Sequence, residues 1–547
     1  MAGLSLITSH TSKAYAKQNC GNRGGVGVVK TIQHNDQPIV CSSGETRILS
    51  STRDGNEIEI NMDRGPVKAA GAAVTVTGQG TNITILKKIT VINGSGSGLP
   101  VIKVLSGGKL TLDQEVNVTG VTEMQKVIVV DGGNSSVMLN GKLTGFEGVQ
   151  VKNGGMVVLG EGVKTITGTG SGSGVVIDGG GTVRFDESVT FNNVTEAGIK
   201  IKGSGMGKAT VMGNLKTMTV TKGSRGDGVG IQMDGTGGTA SVVMLKIKGE
   251  GSGGMGVDVQ NGTMTLTGVE ISEFRVGVHA QNGTVKLMGE SKITVEANGT
   301  GIMVGRTGNA SMMGGSIKGG GSGQGTGVQG SGTVTLNMVD VSGVKVGVDM
   351  QGGTLEMNKG SINFTGERGS YGVRASGGAT AELTKVTITG KGSGQGVGVI
   401  KDGAGTMTMT EVGISGVKVG VHAKSGTLNM MGGTVTFESG SGNWGVKVES
   451  GVMANIMGAT IKGSGSGKGM GLYVVGGTAT MNGGTISNVE SGVYATGTGN
   501  LTINGGAKIT FTRDYGVKVM GAANANITGA TITGGGATGT GVIKDGT

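Results

Sequence analysis

Gly420-Val-His-Ala-Lys-Ser-Gly-Thr-Leu-Asn-Met-Met-Gly-Gly-Thr-Val-Thr-Phe437 contains three short runs of alternating apolar and polar residues, separated by glycine turns. Alternation with a period of two is the mark of a strand with one buried face. Val421 and Ala423, then Leu428 and Met430, then Val435 and Phe437 are therefore expected to point inward. His422, Asn429, Thr434 and Thr436 are expected outside. Three such strands between Gly420 and Phe437 make one turn of a parallel β-helix.

The same unit recurs along the chain. A glycine-opened apolar strand returns nineteen times from Pro100 to Gly541, as at Gly398, Gly420, Gly445, Gly471, Gly492 and Gly516. Every third opening (Pro100, Gly174, Gly256, Gly327, Gly398, Gly471, Gly541) closes a longer interval of nearly constant length, so three turns form a higher repeat. Most of these openings close a glycine-rich loop such as Gly463-Ser-Gly-Ser-Gly-Lys-Gly-Met-Gly471, which places that loop at one corner. Units this short cannot bury an apolar face alone and must stack into a solenoid. The expected fold is all-β: a single-stranded, right-handed parallel β-helix with three short strands per turn and about 19 recognisable turns. Leucine-rich repeats are excluded because no stretch carries a helical apolar stripe.

Composition agrees. Glycine makes up 120 of 547 residues with only 3 prolines, and without a Gly-X-Y register this is not collagen. A hydrophobic content of 35% excludes a disordered polar chain. The expected organisation is an export-signal remnant over 1–16, an N-terminal cap over 17–60 and the β-helix over 61–547, ending inside a turn. Cys20 and Cys41 fall in the cap. In an exported chain they are a candidate disulfide; two buried free thiols is the other reading. No apolar run is long enough to cross a bilayer, so no membrane-spanning segment is expected.

Lysine and arginine outnumber the acids by 46 to 36, a net charge of +10 that allows an acidic polysaccharide partner. Nucleic acid is not expected, because the charge is dispersed and aromatic residues are only 2% of the chain. Cleavage of polysaccharides requires two carboxyl groups on opposite sides of the scissile bond, and calcium requires six or more oxygens. The recurring acids Asp131, Asp178, Asp234, Asp402 and Asp545 each precede glycine, which is ordinary turn chemistry. His279 and His422 stand at equivalent outward positions, with Asp349 and Tyr494 at the same site in other three-turn repeats. Three turns amount to about 14 Å, too far for a shared metal or proton relay, so the histidines are read as exposed surface residues. No catalytic, cofactor or metal residues are assigned.

One column is a candidate for recognition. Tyr371, Trp444 and Tyr515 each precede a strand-opening glycine, and Arg374, Lys447 and Lys518 follow three residues after each ring. An aromatic beside a cation on every third turn makes a candidate rib for a protein or a sugar; rings that merely cover a corner of the core are the other reading. Asp402, Lys424 and Glu449 on successive turns are read as an ion ladder.

With Cys20 and Cys41 ahead of turns such as 426–437 and Gly477-Thr-Ala-Thr-Met-Asn-Gly-Gly-Thr-Ile-Ser487, nearly the whole chain resembles the passenger of a Bartonella-type autotransporter. That resemblance implies a secreted or surface-exposed virulence factor of a Gram-negative bacterium that is not an enzyme. It implies a host cell-surface receptor or matrix component as partner, engaged by adhesion or by proangiogenic growth-factor mimicry. A pectin-lyase-like protein that degrades or binds polysaccharide is the alternative.

Overall fold

In the computed structural model, Cys20, residues 29–32 and residues 37–546 are described, except for 43, 52–56, 94–98, 120–127, 146–147, 168–171, 204–206, 223–227, 251–252, 322, 466 and 537. Of the described residues 66% are strand and 1% helix, and they build a parallel β-solenoid of about 18 turns. Its contacts divide it into two compact units, Met1–Thr195 with Met206–Thr210 and Glu196–Gly205 with Val211–Thr547. The expected export-signal remnant, 1–16, lies outside the described residues.

Within the first unit, Ile39, Val74, Ile102, Ile128, Val149 and Val175 occupy one ladder position on successive turns. The ladder therefore begins earlier than the sequence repeat. Ile39–Cys41, Thr46–Ser51 and Glu57–Asn61 pair in parallel with Val74–Thr77, Asn82–Ile85 and Lys88–Ile92. The boundary expected at residue 61 thus falls between two turns of the ladder, and the strands Ile39–Cys41, Thr46–Ser51 and Glu57–Asn61 belong to the solenoid rather than to a separate cap. This turn lacks the opening glycine but keeps the alternation, with Ile58 and Ile60 buried between Glu57, Glu59 and Asn61. The short helix Gly65–Ala70 separates it from the next turn and stops at Gly71, whose φ of 71° is readily available only to glycine. Cys20 and Cys41 are both buried and form the disulfide, with their Cα atoms 5.3 Å apart.

The second unit repeats with little interruption. Val257, Val278, Ile302, Val328, Val348, Val373, Val399, Val421, Val446, Leu472, Val493 and Val517 form one continuous inward column. The six residues predicted to face inward in turn 420–437 are all buried. Lys401 breaks the apolar rule. Its side chain lies inward and fully buried, and its Nζ donates to the Gly403 carbonyl at 2.6 Å. It fits because its ladder neighbours are Ala375 and Ala423, and burial lowers its pKa even though Asp402 lies nearby.

The strand-opening glycines are required by space, not by backbone angle. From Gly256 to Gly516 none of them has positive φ. A Cβ on each would run into the γ-methyl of an Ile or Val on the third strand of its own turn: Ile293 for Gly277, Ile388 for Gly372, Ile461 for Gly445. Positive φ occurs at the corners instead, among them the one between the second and third strands. Gly432, Gly458, Gly483 and Gly505 adopt it there, and Lys359, Lys385 and Glu411 adopt it at the same corner without glycine's freedom. The glycine-rich loop on every third turn also has a steric cause. Gly396 and Gly469 lie against the rings of buried Phe364 and Phe437, where a Cβ would sit 2.6 and 2.9 Å from ring carbons.

Gly445→Ala sets a methyl against Ile461 Cγ2 and 2.7 Å from the Gly471 carbonyl oxygen, so it is expected to destabilise the local turns by about 1–3 kcal/mol. In a double-mutant cycle Ile461→Ala recovers part of that loss but not all, because the carbonyl remains. Replacing Cys20 and Cys41 together by serine is expected to lower hydrogen-exchange protection of Ile39–Cys41 by about 3 kcal/mol, while protection around Val421 is unchanged.

Candidate recognition face

The face is built from two outward positions of the first strand in each turn of the second unit. One immediately precedes the opening glycine; the other follows it by two residues. Parallel pairing stacks each position into a column with a step of about 4.8 Å. The first column runs Tyr371, Val397, Val419, Trp444, Met470, Ser491, Tyr515. The second runs Arg374, Ile400, His422, Lys447, Tyr473, Tyr494, Lys518 over the same turns.

All three predicted aromatic and cation pairs form. The Arg374 guanidinium lies 5.1 Å from the centre of the Tyr371 ring, Lys447 Nζ 5.2 Å from Trp444 and Lys518 Nζ 5.8 Å from Tyr515. They do not form one rib, however. Tyr371 is separated from Trp444 by Val397 and Val419. Trp444 and Tyr515 are joined instead by two rings that were not among the predicted rib residues. Trp444 stacks on Tyr473 at 5.8 Å and 13°, while Tyr473 and Tyr494 meet at 5.4 Å tilted by 32°, and Tyr494 and Tyr515 at 6.2 Å tilted by 39°. The ladder thus crosses from one column to the other and back, with a lysine over the ring at each end. The signal for Tyr473 and Tyr494 was their shared offset, two positions after Gly471 and Gly492.

Around Tyr371 the charges are closed. Arg374 Nε and Nη2 donate to the two oxygens of buried Asp349 at 2.7 and 2.6 Å. Burial, and then the Asp349 charge, push the Tyr371 phenol up to about 12.

The histidines are not the exposed surface residues that the sequence suggested. His279 Nδ1 lies 3.0 Å from Oδ1 of buried Asp258, which also accepts from Gln260. His422 Nε2 lies 2.7 Å from Glu449 Oε1, and Lys447 Nζ donates to that same oxygen at 2.7 Å. Each histidine is paired with a neighbouring turn, and both are half-buried. Glu449 is consequently not the third rung of an ion ladder. Only Lys424 and Asp402 form the expected pair, at 3.6 Å. Burial lowers the His422 pKa and outweighs the opposing pull of Glu449. Burial pushes the Glu449 carboxyl up, but the hydrogen bonds from Lys447 and His422 hold it below its ordinary value.

Beside the ladder lies a surface groove of about 310 Å³, lined by Lys424, Lys447, Glu449, Ser450, Tyr473 and Val475. In the first unit a groove of about 550 Å³ is lined by Met138, Asn140, Glu161 and Asp186, but Asp186 is held by both Arg184 donors at 2.8 and 2.7 Å. Of the recurring turn acids, Asp131 accepts from Asn153 and Asp234 from Asn261, each across to an adjacent turn. Among the described residues no three His, Cys, Asp or Glu side chains converge to hold a metal, and no helix is long and apolar enough to cross a membrane.

No family model matches the chain, and no curated protein or solved structure matches it.

The His422 environment has a pH signature. Its folded pKa lies below the ordinary 6.5, so the unfolded chain takes up this proton first. The stabilisation is complete above pH 6.5 and is lost as pH falls through the lower folded value. NMR titration is expected to place the His422 midpoint below 6.5, with exchange protection of Val419–Ala423 falling over the same acidic range.

Proposed function

We propose that the chain is a non-enzymatic, exported β-helix that presents the Trp444–Tyr515 face to a protein on the host cell surface. In this reading it acts as an adhesin or receptor ligand, in the manner of the autotransporter passengers it resembles. The observation that carries the proposal is the ring ladder. The chain's only tryptophan and three of its five tyrosines gather on four consecutive turns, with a lysine over each terminal ring. Tryptophan and tyrosine are the residues that most often dominate protein interfaces.

Trp444 stacks on Tyr473, and the tyrosine rings are tilted against one another. The cluster combines rings, phenol hydroxyls and lysines, which suits the side chains and backbone of a protein; a polysaccharide is the alternative partner.

The test is binding of the purified chain to intact endothelial cells, competed by excess unlabelled chain, with receptor phosphorylation read in parallel. Saturable binding is expected, and Trp444→Ala combined with Tyr473→Ala is expected to weaken it by more than about 2 kcal/mol while far-UV circular dichroism is unchanged. Absence of competable binding, or equal binding by the double variant, overturns the reading. Loss of binding after enzymatic removal of surface glycans returns the partner to the polysaccharide class.

A further inference from the structure

The outward columns carry a second chemistry, away from the ring ladder. Where the second strand of its turn ends, Met431 is paired in register with Met457 of the next turn. Both side chains are outside, 39% and 51% exposed. On earlier turns Met288 and Met313 each follow the registered Leu287–Met312 pair by one residue and are likewise exposed. Methionine ordinarily fills gaps in a core. The in-register Met431–Met457 pair places two thioethers on adjacent turns of a surface where hydrophobic burial gives no reason for them.

The spacing fits a two-coordinate ion. Neighbouring strands lie about 4.8 Å apart, so thioethers on adjacent turns can approach one ion from opposite sides. Three rotatable bonds let each thioether turn toward the other. Thioether sulfur selects soft ions such as Cu(I) over Ca²⁺ or Mg²⁺. The ladder neighbours on either side of the pair, Thr410 and Asn482, offer only oxygen and nitrogen. Both cysteines are held in the disulfide, so no thiolate competes. We infer that Met431 and Met457 form a binding site for a soft monovalent cation, Cu(I) or its analogue Ag(I), held between two thioethers. The site does not depend on the proposed host partner.

The experiment uses the full chain labelled with ¹³C in the methionine methyl groups and titrated with Ag(I), which needs no reductant and leaves the disulfide intact. The Met431 and Met457 methyl signals are expected to shift together and saturate at one ion per pair. Met407 and Met430, which are buried, and Met453, exposed but without a methionine beside it in register, stay in place. Met431→Leu, which keeps the volume, is expected to weaken the titration seen at Met457 by about ten-fold or more, as loss of one of two soft ligands requires. The site is overturned if Met457 titrates unchanged in that variant. It is equally overturned if Met453 shifts at the same Ag(I) concentration, since the sulfurs then act singly.

Discussion

Most of the second unit's architecture depends on one contact: the Cα of a strand-opening glycine against the γ-methyl of an Ile or Val on the third strand of the same turn. No larger residue fits, because the methyl and the carbonyl of the next opening glycine both occupy the space where a Cβ would project. The contact fixes how closely the first and third strands approach and therefore how narrow the cross-section is. It also aligns turns, because every opening glycine lies beside the next. A slip of one residue would turn every side chain to the opposite face, and the glycine would no longer meet its partner.

With the inward positions so constrained, the outward ones are free in chemistry but fixed in place. Each outward side chain has a neighbour about 4.8 Å away on the turns before and after. Rings at such positions pack on one another, as Trp444, Tyr473, Tyr494 and Tyr515 do. Each such pair contributes about 0.5–1.5 kcal/mol beyond its buried area, so the ladder braces the turns that carry it. The same geometry explains why Asp258 and Asp349 can be buried on an outward face. The neighbouring turn supplies His279 to one and the Arg374 fork to the other, which offsets the cost of burying a charge.

Much of this was legible in the sequence, for a physical reason: alternation and glycine spacing reflect steric demands that act within one turn. The inward residues of 420–437, the cysteine pairing and the three cation–ring pairs all belong to that class, since each involves short separations or a single candidate partner. The start of the ladder was not legible, because turn 39–61 is held by alternation alone and carries no opening glycine. The histidine partners were also missed. Equivalence was sought three turns away, where the sequence repeats, whereas contact is made one turn away, where it does not. Tyr473 and Tyr494 were overlooked because they join the ladder from the neighbouring column. Lys401 gave no signal, since its tolerance depends on the alanines above and below it.

A solenoid face of this kind distributes its groups along lines rather than converging them on a point. Lys447 and Lys518 both stand in the second column, with Tyr473 and Tyr494 between them, so the face offers cations at its ends and phenols in the middle. Lys447 is already shared between the Trp444 ring and Glu449, and Glu449 is shared again with His422. Protonating His422 adds a charge beside Glu449 and strengthens that contact. The lysine at one end of the ring ladder is thereby linked, through Glu449, to a histidine that the sequence presented as an exposed surface residue.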